Sequence, residues 1–92
     1  MAFEAEQAWR LDRRVAIRPE PFGALAYHFG TRRLSFLKSR ALLDVVQALE
    51  AHPSAADACR AAGVGDDELP RYGRALAQLA ATGMIREREV PG

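Results

Sequence analysis

The chain has few side chains suited to chemistry. Cys59 is its one cysteine, and His28 and His52 are its two histidines. They lie far apart in sequence and on different expected elements, so they do not assemble the roughly four closely spaced donors of a familiar zinc site. Nucleophilic catalysis would need Cys59 or a serine beside an activating base. Cys59 sits in "AADACRAAG" among alanines, where a small packed residue is the simpler reading. His28 is expected on the outer or partner-facing side of a strand, and His52 at the end of a helix. The stretch "GVGDD" carries glycines, but Asp66 and Asp67 stand where a phosphate would sit and no lysine completes the loop. The two aspartates read as helix-start residues. The expectation is a protein that is not an enzyme and holds no cofactor and no metal.

What must be positioned is therefore a surface, and the composition limits its kind. With 92 residues, 49% hydrophobic and 27% charged, the chain suits one globular domain over 1–92 with one modest core. Residues 1–8 are expected to be mobile. The net charge is +1, unevenly spread: residues 1–38 hold seven Lys or Arg against four acids, and residues 39–92 hold six against eight. A lone thiol cannot form an internal disulfide. No apolar run approaches the roughly 20 residues of a membrane span, and "MAFEAEQAWRLDRR" lacks a signal-peptide core. A cytoplasmic protein without a membrane partner is expected.

The pattern then divides the chain. "RVAIR" alternates as a short strand, with Val15 and Ile17 on one face, and Pro19 and Pro21 stop it. "GALAYHF" places Leu25, Tyr27 and Phe29 on one face and Ala24, Ala26 and His28 on the other. A tight connection at Gly30–Thr31 follows, with Gly30 free to take positive φ. "RRLSFLK" returns, with Leu34 and Phe36 sharing a face. From Ser39 the period changes to that of a helix: Leu42, Val45, Val46 and Leu49 form a stripe, and Ser39 is a candidate N-cap. Ser54 can cap a short second helix that ends at Gly63. A third helix carries Leu69, Tyr72, Leu76, Leu79 and Ala80 as its stripe and ends at Gly83. "MIRERE" suits a short terminal strand. The fold class is thus α+β, winged helix-turn-helix-like, with a three-stranded antiparallel sheet followed by three helices.

Two functions suit that order. A winged-helix DNA-binding regulator would present the start of the third helix to bases and needs a positive phosphate footprint. Here that start reads "DDELP", and Arg71 and Arg74 only partly offset its acids. No nucleic-acid partner is expected. Peptide capture is the other function. In a sheet ordered by its hairpins, the third strand is an edge with unpaired N–H and C=O groups, and a neighbouring helix would turn that edge into a groove for an extended peptide. The edge also suits capping by "MIRERE" or pairing with a second copy as a homodimer.

The block "RPEPFGALAYHFGTRRLSFLKS", with "LAATGMI" near the end, resembles the PqqD-like RiPP recognition elements and, within them, the peptide chaperones of mycofactocin systems. The likeness covers about residues 9–88. It implies a non-catalytic protein that binds the leader of a ribosomally made precursor peptide by strand addition. It further implies docking on a radical-SAM maturase that modifies the peptide's C-terminal Val-Tyr. Carried onto this chain, the edge is Arg32, Arg33, Leu34, Ser35, Phe36, Leu37 and Lys38. The facing wall is the third helix, with Arg71, Arg74, Ala75 and Gln78 at the rim and Tyr72, Leu76 and Leu79 deeper. The segment with Trp9 and the acidic helix start are the candidate surfaces for the maturase.

Overall fold

The computed structural model describes residues 3–88. Its strands are β1 (Trp9–Leu11), β2 (Val15–Glu20), β3 (Gly23–His28), β4 (Leu34–Leu37) and β5 (Ile85–Glu87). Its helices are α1 (Arg40–Ala48), α2 (Ala55–Ala61) and α3 (Leu69–Ala81), with a 3-10 turn at Leu49–Ala51. The class is α+β, as expected. One antiparallel sheet runs in the order β2-β3-β4, and a two-stranded sheet pairs β1 with β5. The second sheet is a correction. The sequence around Trp9 alternates too weakly over three residues to read as a strand, and β1 exists because β5, from the other end of the chain, pairs with it at Leu11 and Ile85.

Register fixes the faces of the larger sheet. Ala16, Tyr27 and Leu34 lie side by side across the strands, as do Arg18, Leu25 and Phe36. The opposite face carries Val15, Ile17, Ala24, Ala26, His28, Ser35 and Leu37. That second face is the buried one: Ala24, Ala26, His28 and Leu37 are all buried, whereas Leu34 and Phe36 are exposed. His28 thus points into the protein and not outward as expected. Small side chains at Ala24 and Ala26 let α1 pack closely on β3. The larger residues of β3, Leu25 and Tyr27, are left to the opposite face.

The helices follow their sequence signals. Ser39 Oγ accepts the Leu42 N–H at 3.1 Å, and Ser54 Oγ accepts the Asp57 N–H at 3.1 Å, so both expected caps form. Leu42, Val45, Val46, Leu49, Leu76 and Leu79 are buried in one core with Trp9, Met84 and Ile85. Gly63 takes a φ of +88° just beyond α2.

The hairpin turn differs from expectation in one residue. Arg32, not Gly30, holds the left-handed conformation, at a φ of 62°. A longer loop places its left-handed residue at the end, just before the return strand. The Arg32 N–H closes it onto the His28 carbonyl at 2.7 Å. Gly30 is needed for space instead, since a Cβ there would lie 2.9 Å from His28 Cε1.

Residues 1–8 are the segment expected to be mobile. Within it, the carbonyls of Ala5 and Gln7 accept the N–H groups of Ala56 and Ala55, at 2.8 and 3.0 Å, in the otherwise unpartnered first turn of α2. The Trp9 indole N–H donates to the Glu4 carbonyl at 2.8 Å, and the Phe3 and Trp9 rings stand 4.9 Å apart. Residues 1 and 2 lie outside the described residues.

Candidate functional site

The three-stranded sheet has two edges, β2 and β4, and their chemistry differs. The His28 N–H donates to the Arg33 carbonyl at 2.9 Å. Hydrogen bonding alternates along an antiparallel pair, so Ser35 and Leu37 face β3, and the N–H and C=O groups of Leu34 and Phe36 point away from the sheet. On the other side, the Phe29 N–H donates to the Arg14 carbonyl at 2.8 Å, so the outward groups of β2 belong to Val15, Ile17 and Pro19. The Val15 N–H is already given to the Asp12 carbonyl at 3.0 Å, and proline has none to give. β2 therefore offers the single donor of Ile17, and β4 offers two donors and two acceptors in register. The terminal strand does not cap β4, because β5 pairs with β1.

A groove of about 560 Å³ lies along β4, lined by Ser35, Phe36, Lys38, Ser39, Leu42, Arg71, Tyr72, Ala75, Gln78 and Leu79. Its walls are β4, the start of α1, and α3. Of the residues expected at a binding edge, Ser35, Phe36, Lys38, Arg71, Tyr72, Ala75 and Gln78 line it. Arg32 and Arg33 lie at the hairpin turn, Leu34 is exposed on the opposite face of the sheet, and Arg74 is exposed on α3. Leu37 is fully buried, so only its backbone belongs to the edge strand. Leu76 is core, as its position in the helical stripe suggests, and Leu79 is both core and groove floor. Ser39 and Leu42 are the lining residues that the sequence did not single out. Their signal was present: Ser39 directly follows Lys38 and caps α1, so the first turn of that helix must lie at the end of β4.

Charge around the groove is partly committed. Arg71 pairs with Glu68, one turn earlier, and its guanidinium lies 5.7 Å from the centre of the Tyr72 ring. Arg32, Arg33 and Arg74 make no ion pair among the described residues. Trp9 belongs to β1 and its side chain is buried in the core, so it is not an exposed docking side chain.

A buried polar cluster braces the hairpin from behind. His28 Nδ1 accepts the N–H groups of Gly30 and Thr31, each at 3.0 Å. Nδ1 is therefore the unprotonated nitrogen, and Nε2 faces Asp12 Oδ2 at 3.6 Å. Burial would raise the Asp12 pKa, but the Arg14 backbone N–H and the Arg86 and Arg14 side chains outweigh it and hold the carboxyl far below its usual range. No fully buried side-chain polar atom lacks a hydrogen-bond partner among the described residues, which suits a structural cluster. The Cys59 thiol is buried and its pKa is raised, mainly by that burial, which suits a packed residue rather than a nucleophile. The described residues bring together no group of three or more metal-ligating side chains, and no described helix is long and apolar enough to cross a membrane.

Comparison with known proteins points to one family. The model of the peptide chaperone MftB family matches residues 8–86. A peptide chaperone MftB from Mycobacterium ulcerans is 56% identical over 88 residues, covering 96% of this chain and 81% of the relative. The peptide chaperone MftB from Mycobacterium tuberculosis is 53% identical over 87 residues, covering 95% and 80%. That from Mycolicibacterium smegmatis is 51% identical over 92 residues, covering 100% and 86%. No solved structure matches.

Proposed function

The chain belongs to the peptide chaperone MftB family, and from that membership we propose that it is a non-catalytic peptide chaperone of mycofactocin biosynthesis. In this reading it binds the leader of the precursor peptide by strand addition to β4 and delivers the peptide to a radical-SAM maturase. The observation that carries the reading is the open β4 edge beside a groove walled by α3. Outward N–H and C=O groups at Leu34 and Phe36 give up to four backbone hydrogen bonds, each contributing about 0.5–1.5 kcal/mol net. Apolar leader side chains would enter between Leu42, Tyr72 and Leu79, and each would add roughly 1.5–3 kcal/mol on full burial. Pairing through the backbone holds an extended strand of almost any sequence, so the groove side chains set which peptide is accepted. The chemistry belongs to the partner enzyme.

The test is a titration of the labelled protein with the synthetic leader, followed by amide NMR. Shifts should concentrate on residues 34–38 and along α3. Shifts confined to the β2 edge, or an absence of binding, would overturn the proposal.

A further inference from the structure

The face of the sheet turned away from the helices is unusually apolar. Four large hydrophobic side chains are prominently exposed among the described residues: Phe22 (53%), Phe29 (62%), Leu34 (62%) and Phe36 (59%). Register and ring contacts place all four on this outer face. Leu34 and Phe36 lie beside Tyr27 and Leu25, Phe22 stands 6.3 Å from Phe36, and Phe29 meets Tyr27 edge-on at 5.1 Å. A contiguous apolar patch of this kind marks an interaction site on a small soluble domain.

The rim says what kind of partner fits. At the Phe29 end the backbone brings four exposed arginines, Arg13, Arg14, Arg32 and Arg33, close to one another: Phe29 donates to the Arg14 carbonyl, and His28 donates to that of Arg33. The acid at this end is Asp12, which is buried and already engaged by Arg14 and Arg86. At the Phe22 end, Arg18 is matched by Glu20 at 3.3 Å. A second copy of the chain laid on this face would set arginines against arginines or against that neutral pair. The charge pattern therefore favours a partner that itself carries carboxylates.

We infer that the outer face of the β2-β3-β4 sheet is a docking platform for a folded protein surface with an apolar centre and an acidic rim. Resting on the function proposed above, that partner is the maturase. The platform and the groove share β4, since Leu34 and Phe36 project from the same strand whose backbone would hold the leader. A strand added to β4 widens the outer face, and alternate leader side chains join it. The enzyme would then contact the chaperone and its bound peptide together, giving tighter docking to the loaded form.

The experiment uses Phe29→Ser and, separately, Arg13→Glu, both outside the groove. Each variant is checked for an unchanged melting temperature, then titrated with the leader and with the purified maturase. The inference expects leader affinity within about twofold of wild type. It expects maturase affinity to fall tenfold or more for Phe29→Ser and to show a shallower salt dependence for Arg13→Glu. Wild-type maturase affinity retained by both variants would overturn the inference and leave leader capture standing. So would a wild-type dimer by light scattering that Phe29→Ser dissolves, or binding to anionic vesicles that the variant loses. A wild-type chain that bound neither leader nor maturase would instead remove the functional reading, and this inference with it.

Discussion

At the scale of single residues, Asp12 has the largest structural leverage of any charged group described. It receives the Arg14 backbone N–H and the Arg86 side chain and faces His28, so it joins the loop before β2, the hairpin turn and the terminal strand. Its folded pKa lies below the unfolded value of about 3.9. Its contribution to stability is therefore complete above about pH 5 and is lost as pH falls through the acid range. Asp12→Asn should cost about 3–5 kcal/mol at neutral pH, as expected for removing one partner of a buried ionic cluster. The difference from wild type should shrink below about pH 4, and denaturant melts across pH measure both. None of this was legible in the sequence. Asp12 precedes "RR" as an ordinary surface acid would, and its burial depends on Arg86, 74 residues away. His28 was misplaced for a related reason: alternation separates two faces but does not say which is buried, and the larger side chains of β3 are on the open one.

At the scale of elements, the helices were readable because stripe and caps agree. Ser39, Ser54 and Gly63 each do locally what their residue type favours. Leu49 ends the α1 stripe and is almost fully buried, so Leu49→Ala should cost about 2–5 kcal/mol by chemical denaturation, with leader affinity changed only through folding. The edge strand was readable from hairpin order, and its polarity needed coordinates. Ser35 N–H faces β3 and Phe36 N–H faces outward. Phe36→Pro should weaken leader binding well beyond Phe36→Ala while the melting temperature falls modestly. Ser35→Pro should instead lower stability by about 1–3 kcal/mol, because it removes a ladder hydrogen bond and leaves its β3 partner unsatisfied. Calorimetry paired with thermal melts separates the two, and equal stability losses would contradict the register. β1 escaped the sequence because three residues carry almost no period, and its partner lies at the far end of the chain.

At the scale of the whole molecule, two surfaces meet at β4: a groove toward α3 and an apolar face on the other side of the sheet. The groove was foreseeable from an edge strand followed by a helical stripe. The outer face was not, since its four exposed rings and chains look in sequence like ordinary core residues. Electrostatics also acts at this scale. Arg32 and Arg33, at the hairpin turn that leads into β4, make no ion pair among the described residues, so an acidic leader should bind more weakly as salt rises from 50 to 500 mM, by roughly three- to tenfold. The same titration with duplex DNA should show no comparable binding.

The central claim is that β4 receives a strand, and amide hydrogen exchange reads that event at single groups. In the free protein the Leu34 and Phe36 amides should exchange quickly, and those of Ser35 and Leu37 slowly. Saturating leader peptide should slow Leu34 and Phe36 by about a hundredfold, the protection that a local stabilisation near 2.7 kcal/mol confers, and should leave Ile17 on the β2 edge unchanged. Slowing at Ile17 with no change at Leu34 and Phe36, under conditions where the leader is bound, would contradict the account.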